Sequence, residues 1–170
     1  GAIDALLASE GGGGDEARTI AAFEEFAIEA WIMKVTGSEA LGQLVDDAVL
    51  GRGLAGIEIS SFAGDVELSD PRLEPMWTRV EELGAIVFLH PFGCSLDERL
   101  DRFYLSNTVG QPVETTLALS HMIFSGLLDR RPRLRVLAAH GGGYLPYYIG
   151  RSDHAWAVRP DARTAQRVSQ

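Results

Sequence analysis

The chain has 170 residues, of which 46% are apolar and 23% charged, with a formal charge of −9 near neutral pH. That length suits one domain with a real core, and no apolar run approaches the ~18 residues of a membrane span. The acidic balance argues against a nucleic-acid partner, which carries a basic stripe, and the single Cys94 excludes an internal disulfide and points to a reducing cytoplasm.

No basic stretch followed by an apolar one opens the chain, so no secretory leader is read there, and the first residue is Gly1 rather than Met. Residues 1–37 read as an N-terminal segment of their own. Its Gly11 to Gly14 run suits a linker or loop. A phosphate-cradling loop would end in Gly-Lys-Ser/Thr, and here Asp15 and Glu16 follow. From Asp15 to about Lys34 the composition is helical.

Residues 38–170 show a regular alternation. Leu41, Leu44, Val45, Ala48 and Val49 place an apolar stripe on a helix from Glu39 to about Leu50, which Gly51 and Gly53 end. Leu54 to Ser60 is a short strand. A polar turn follows, and Asp70-Pro71 opens a second helix, with Asp as cap and Pro in the first turn, running to Gly84. Ala85 to Leu89 is a continuous apolar strand ended by His90-Pro91. A long loop, Phe92 to Gln111, precedes a third helix that opens at Pro112 and ends near Gly126 to Asp129. Leu134 to Ala139 is a third strand, followed by His140 and three glycines, and a last amphipathic helix spans about Tyr144 to Val158.

Apolar strands separated by helices imply a parallel sheet with right-handed crossovers. Both a doubly wound sheet and a (β/α)₈ barrel fit that order. A complete barrel takes ~250 residues, so as a barrel this would be part of one.

In either fold, residues just beyond the carboxyl ends of the strands build the active site. His90 and His140 both occupy such positions, which structural histidines can also fill. His121 is expected to pack inward with Val113, Leu117, Phe124 and Leu128. His154 is expected to be a polar surface residue. Glu58, inside the first strand, points away from Ile57 and Ile59. It could pair with an arginine (the ordinary expectation for a buried carboxylate), orient a histidine, or take part directly. Cys94 reads as a bystander thiol. Asp97, Glu98 and Asp101, with Arg99 and Arg102, read as a solvated face.

Three stretches carry a resemblance: N-T-V-G-Q-P-V-E-T-T from Asn107, S-G-L-L-D-R-R-P-R-L-R-V-L-A-A-H-G-G-G from Ser125, and Y-Y-I-G-R-S-D from Tyr147. With His90-Pro91 they resemble the amidohydrolase-related family, and within it the 2-amino-3-carboxymuconate 6-semialdehyde decarboxylase type, over roughly residues 40–158. The resemblance implies an α/β fold, a portion of a (β/α)₈ TIM-type barrel with parallel strands and outer helices. It implies a divalent metal, zinc foremost and manganese as the alternative, with no nucleotide cofactor. His90 would be a metal ligand, His140 the catalytic histidine or one that supports the metal's ligands, and Phe92, Phe103 and Tyr104 part of the wall around a small carboxylic-acid substrate. The implied activity is decarboxylation of an unsaturated or aromatic acid in a cytoplasmic homo-oligomer. The alternatives are hydrolysis at the same site and a non-catalytic degenerate barrel domain. The family's other ligands, an H-x-H or E-x-H pair on a first strand and a late Asp, have no counterpart in the sequence. It therefore reads as a fragment of a larger enzyme.

Overall fold

The computed structural model describes residues 38–63, 66–91, 93–96, 98–163 and 168. The glycine run, the helix expected over 15–34, Phe92 and Asp97 lie outside the described residues.

The first helix, α1 (Ser38–Asp46), continues as one widened turn over Asp47–Gly51. Its stripe turns inward as expected, with Leu41 and Val45 buried. Three strands, β1 (Gly56–Ile59), β4 (Ile86–Leu89) and β5 (Arg135–Ala138), form a parallel sheet in the order β1-β4-β5. A small antiparallel hairpin, β2 (Phe62–Ala63) with β3 (Val66–Glu67), occupies the stretch expected to be a polar turn. Helix α2 (Glu74–Leu83) begins after a short turn at Pro71–Leu73, where the Asp70 carboxylate accepts from the Arg72 N–H at 2.9 Å, and ends at Gly84. Helices α3 (Gln111–Phe124) and α4 (Leu127–Arg130) divide the third expected helix at Gly126, whose φ of 74° no helix continues. Helix α5 (Leu145–Val158) follows β5.

Register explains what each sheet face does. Ile57, Val87 and Val136 are paired neighbours, as are Ile59, Leu89 and Ala138. Side chains of paired residues share a face. Ile57, Ile59, Val87 and Leu89 are buried against Leu41, Val45, Met76, Trp77, Val80, Ala118 and Met122 from α1, α2 and α3. Trp77 is wholly buried and donates its indole N–H to the Leu68 carbonyl at 2.9 Å.

The opposite face carries Gly56, Glu58, Ile86, Phe88 and Leu137, and no helix covers it among the described residues. Leu137 is 58% exposed there. A doubly wound sheet would have helices on both faces, whereas a barrel keeps them outside and turns its other face to the barrel axis. At Gly56 the strands leave no room: a Cβ would sit 1.9 Å from the Ile86 carbonyl oxygen. Leu54, Gly56, Ile86, Phe88 and Leu137 line a shallow apolar cavity of about 240 Å³ on this uncovered face.

Helix α3 departs from expectation. Its buried residues are Glu114, Thr115, Ala118 and Met122, while His121 and Leu117 are exposed. His121 is no core residue; its Nε2 lies 3.5 Å from the Glu67 carboxylate at the surface. The reason is polar: Glu114 and Thr115 find hydrogen-bond partners under the helix, so burial follows those partners rather than the bulkiest apolar stripe. His154 is exposed, as expected.

Candidate functional site

His90 directly follows the last residue of β4, His140 lies two residues past the end of β5, and β4 and β5 are adjacent and parallel. Their rings therefore meet, with centroids 5.4 Å apart and planes tilted by 34°. Phe88, two residues before His90 on the same face of β4, stacks on the His90 ring at 5.4 Å and 2°.

Each ring is held through Nδ1. His90 Nδ1 lies 2.7 Å from Glu58 Oε1. A carboxylate only accepts, so the assignment is Nδ1–H donating to Glu58, and Nε2 is the nitrogen with which the ring would meet a ligand. Glu58 is buried at 7% exposure. This corrects the expectation of an arginine partner: Glu58 instead orients a histidine on the neighbouring strand.

His140 Nδ1 lies 2.9 Å from the hydroxyl of Thr115, which is fully buried on α3. The His140 backbone is held at φ 54°, and Gly141, Gly142 and Gly143 all have positive φ. For a residue with a side chain, that conformation is uncommon and strained. The turn is locked against α3: a Cβ on Gly143 would lie 2.3 Å from the Pro112 carbonyl oxygen, and Thr116 Oγ1 accepts from the Tyr144 N–H at 2.8 Å. Partial burial of the ring, and then the charge of nearby His90, hold the His140 imidazole below the ordinary histidine value.

Glu114 is the other buried carboxylate, at 2% exposure. It accepts from Ser61 Oγ at 3.0 Å, just beyond β1, and from both the N–H (2.7 Å) and hydroxyl of Ser95, just beyond β4. The loops at the carboxyl ends of two strands are thus tied to the first turn of α3. Sequence reasoning missed both Glu114 and Thr115; the signal available was their place in the N-T-V-G-Q-P-V-E-T-T stretch.

Among the other expected site residues, Phe103 and Tyr104 lie on the long loop with φ of 57° and 60°. They are 86% and 70% exposed. Phe92 lies outside the described residues. Cys94 is partly buried against Gly110, and its sulfur accepts from the Leu96 N–H at 3.4 Å. Among the described residues no three His, Cys, Asp or Glu side chains cluster to hold a metal ion. No helix among them is long and apolar enough to cross a membrane.

A one-sided parallel sheet with paired histidines at its carboxyl end fits a portion of a (β/α) barrel. Comparison with known proteins gives the family. The amidohydrolase family model matches residues 17–167, and the chain belongs to that family. It is 44% identical over 113 residues to 2-amino-3-carboxymuconate-6-semialdehyde decarboxylase of Dictyostelium discoideum, covering 66% of this chain and 32% of that one. To gamma-resorcylate decarboxylase of a Rhizobium species it is 34% identical over 103 residues, covering 57% and 32%. The crystal structure of 2,6-dihydroxybenzoate decarboxylase from Rhizobium superposes with a TM-score of 0.69 at 27% identity, over 90% of this chain and 53% of that one. The described residues are thus a portion of a (β/α)₈ barrel. The chain spans about a third of the length of these curated relatives.

Proposed function

We propose that this chain carries part of the active site of a metal-dependent decarboxylase acting on a small aromatic or unsaturated carboxylic acid. The observation that carries the reading is the pair of rings 5.4 Å apart at adjacent strand ends, each anchored through Nδ1. The relatives' names support it, since each is a decarboxylase of such an acid.

His90 would be one ligand of a divalent cation, zinc or manganese. A ligating histidine whose other nitrogen is held by a carboxylate is the usual arrangement. A catalytic zinc takes about three protein ligands, so the described residues fit as a contributor to the site. When bound, the metal would hold and polarise oxygens of the substrate. His140 would act as general acid through Nε2. The bond from the substrate carbon to its carboxyl group breaks, CO₂ leaves, and the proton from Nε2 takes its place on that carbon. Phe103 and Tyr104, with Phe92, would supply apolar and aromatic surface beside the site. The single cysteine supports a cytoplasmic setting, and the open strand edges of a partial barrel support association, as in a homo-oligomer.

The absence of a three-ligand cluster among the described residues favours a second reading, a barrel domain that binds a small acid without metal. Metal uptake and CO₂ release by the intact protein, measured for the wild type, His90→Ala and His140→Ala, separate the two. The decarboxylase reading expects stoichiometric metal lost only in His90→Ala, and CO₂ release lost in both. Wild-type protein that takes up neither zinc nor manganese and releases no CO₂ from hydroxylated benzoates would overturn it.

A further inference from the structure

We infer that Thr115 is a positioning residue that fixes His140 in its Nδ1–H form and so directs Nε2 to the reacting side; this rests on the catalytic role proposed for His140.

The inference follows from hydrogen counting. The Thr115 hydroxyl lies 3.1 Å from the Gln111 carbonyl oxygen and 2.9 Å from His140 Nδ1, and it has a single proton to give. A carbonyl can only accept. The hydroxyl proton therefore goes to Gln111, one turn earlier on α3, in the back-bond that helical threonine makes. What remains toward His140 is an oxygen lone pair, which requires a proton on Nδ1. The neutral ring then has its lone pair on Nε2, and the protonated ring keeps the same hydrogen bond while Nε2 carries the second proton. One anchor thus serves both states of a proton carrier, and only Nε2 changes between them.

Three further features make the anchor rigid. Thr115 is fully buried, so water does not compete for its hydroxyl. Its helical turn is fastened from below by Glu114, which holds Ser61 and Ser95. The neighbouring Thr116 fastens the far side of the histidine turn through the Tyr144 N–H. The backbone at His140 is held in a strained conformation, which persists only where its surroundings over-determine it. Glu58 gives His90 the same treatment by a stronger acceptor, a carboxyl group, as suits a metal ligand. A neutral hydroxyl suits a histidine that must both give up and regain a proton.

The test reads the tautomer directly, by long-range ¹H–¹⁵N correlation of the imidazoles in metal-free intact protein, with His140→Asn identifying the signal. Wild type is expected to show Nδ1 protonated and Nε2 unprotonated in the neutral ring. Thr115→Val keeps the shape without the hydroxyl and is expected to move most of the population to the Nε2–H form that imidazole favours in water. Thr115→Ser is expected to restore the wild-type pattern. A wild-type ring protonated at Nε2, or a Thr115→Val pattern equal to wild type, overturns the inference. If Thr115→Val does not fold, the wild-type and Thr115→Ser spectra decide it. No substrate or metal enters the measurement, so its failure is distinct from a failure to release CO₂.

Discussion

Glu58 offers the sharpest perturbation. Its side chain is 8% exposed and reaches His90 Nδ1 at 2.7 Å, whereas the His90 side chain is 38% exposed. Glu58→Ala removes the acceptor that orients the ring and raises its basicity, and partial exposure lets water replace only some of that. Losing a partner that orients a ligating histidine costs about 10–100-fold in metal affinity, equivalent to roughly 1.4–2.7 kcal/mol. Glu58→Gln retains an acceptor oxygen and loses the charge, so its loss should stay within about tenfold. Metal-free stability should follow a different order. The buried carboxyl is costly in its own right, so Glu58→Gln should change unfolding free energy by no more than about 1 kcal/mol. Competition titration of zinc against a chromophoric chelator, with urea unfolding of the metal-free protein as control, measures both. Wild-type metal affinity in Glu58→Ala would refute the role assigned to the pair.

Other expectations are more local. Trp77→Ala removes a wholly buried ring from the centre of the core and should cost about 3–5 kcal/mol in urea unfolding. Gly143→Ala sets a Cβ 2.3 Å from the Pro112 carbonyl at a φ of 65°, and should cost roughly 2–4 kcal/mol from backbone strain and overpacking together. Asp70, hydrogen-bonded to the Arg72 side chain and backbone, has its pKa lowered from 3.8 to about 2. A lowered carboxylate pKa stabilises the fold above the unfolded value, and that contribution fades as pH falls through the folded one. Discounted for its place at the surface, the cap should make Asp70→Ala about 1 kcal/mol less stable than wild type near neutral pH. The gap should close by about pH 2.

The parallel strands were legible as short runs rich in apolar residues between helical stretches, and both strand-end histidines followed from the endings His90-Pro91 and His140-Gly141. The partners of the histidines were not legible. Glu58 sits opposite Phe88 across the sheet, and only that register brings it to His90. Alternation along β1 gives the face of Glu58, but it cannot choose between an arginine and a histidine as neighbour. Helix α3 misled for a related reason. Val113, Leu117 and His121 look like a core stripe by bulk, yet the helix buries Glu114 and Thr115 because the strand ends below offer hydrogen bonds. The hairpin at Phe62–Glu67 was hidden because two-residue strands carry no periodicity to detect.

The most direct test of decarboxylase chemistry is the fate of the reacting carbon in heavy water. Intact protein loaded with zinc or manganese is incubated in D₂O with 2,6-dihydroxybenzoate and related hydroxylated benzoates, and products are read by mass spectrometry and NMR. The expected result is one CO₂ per product and a single deuterium on the carbon that carried the carboxyl group, with both lost in His140→Asn. A product that has gained the elements of water, or no CO₂ from any of these acids, would contradict it.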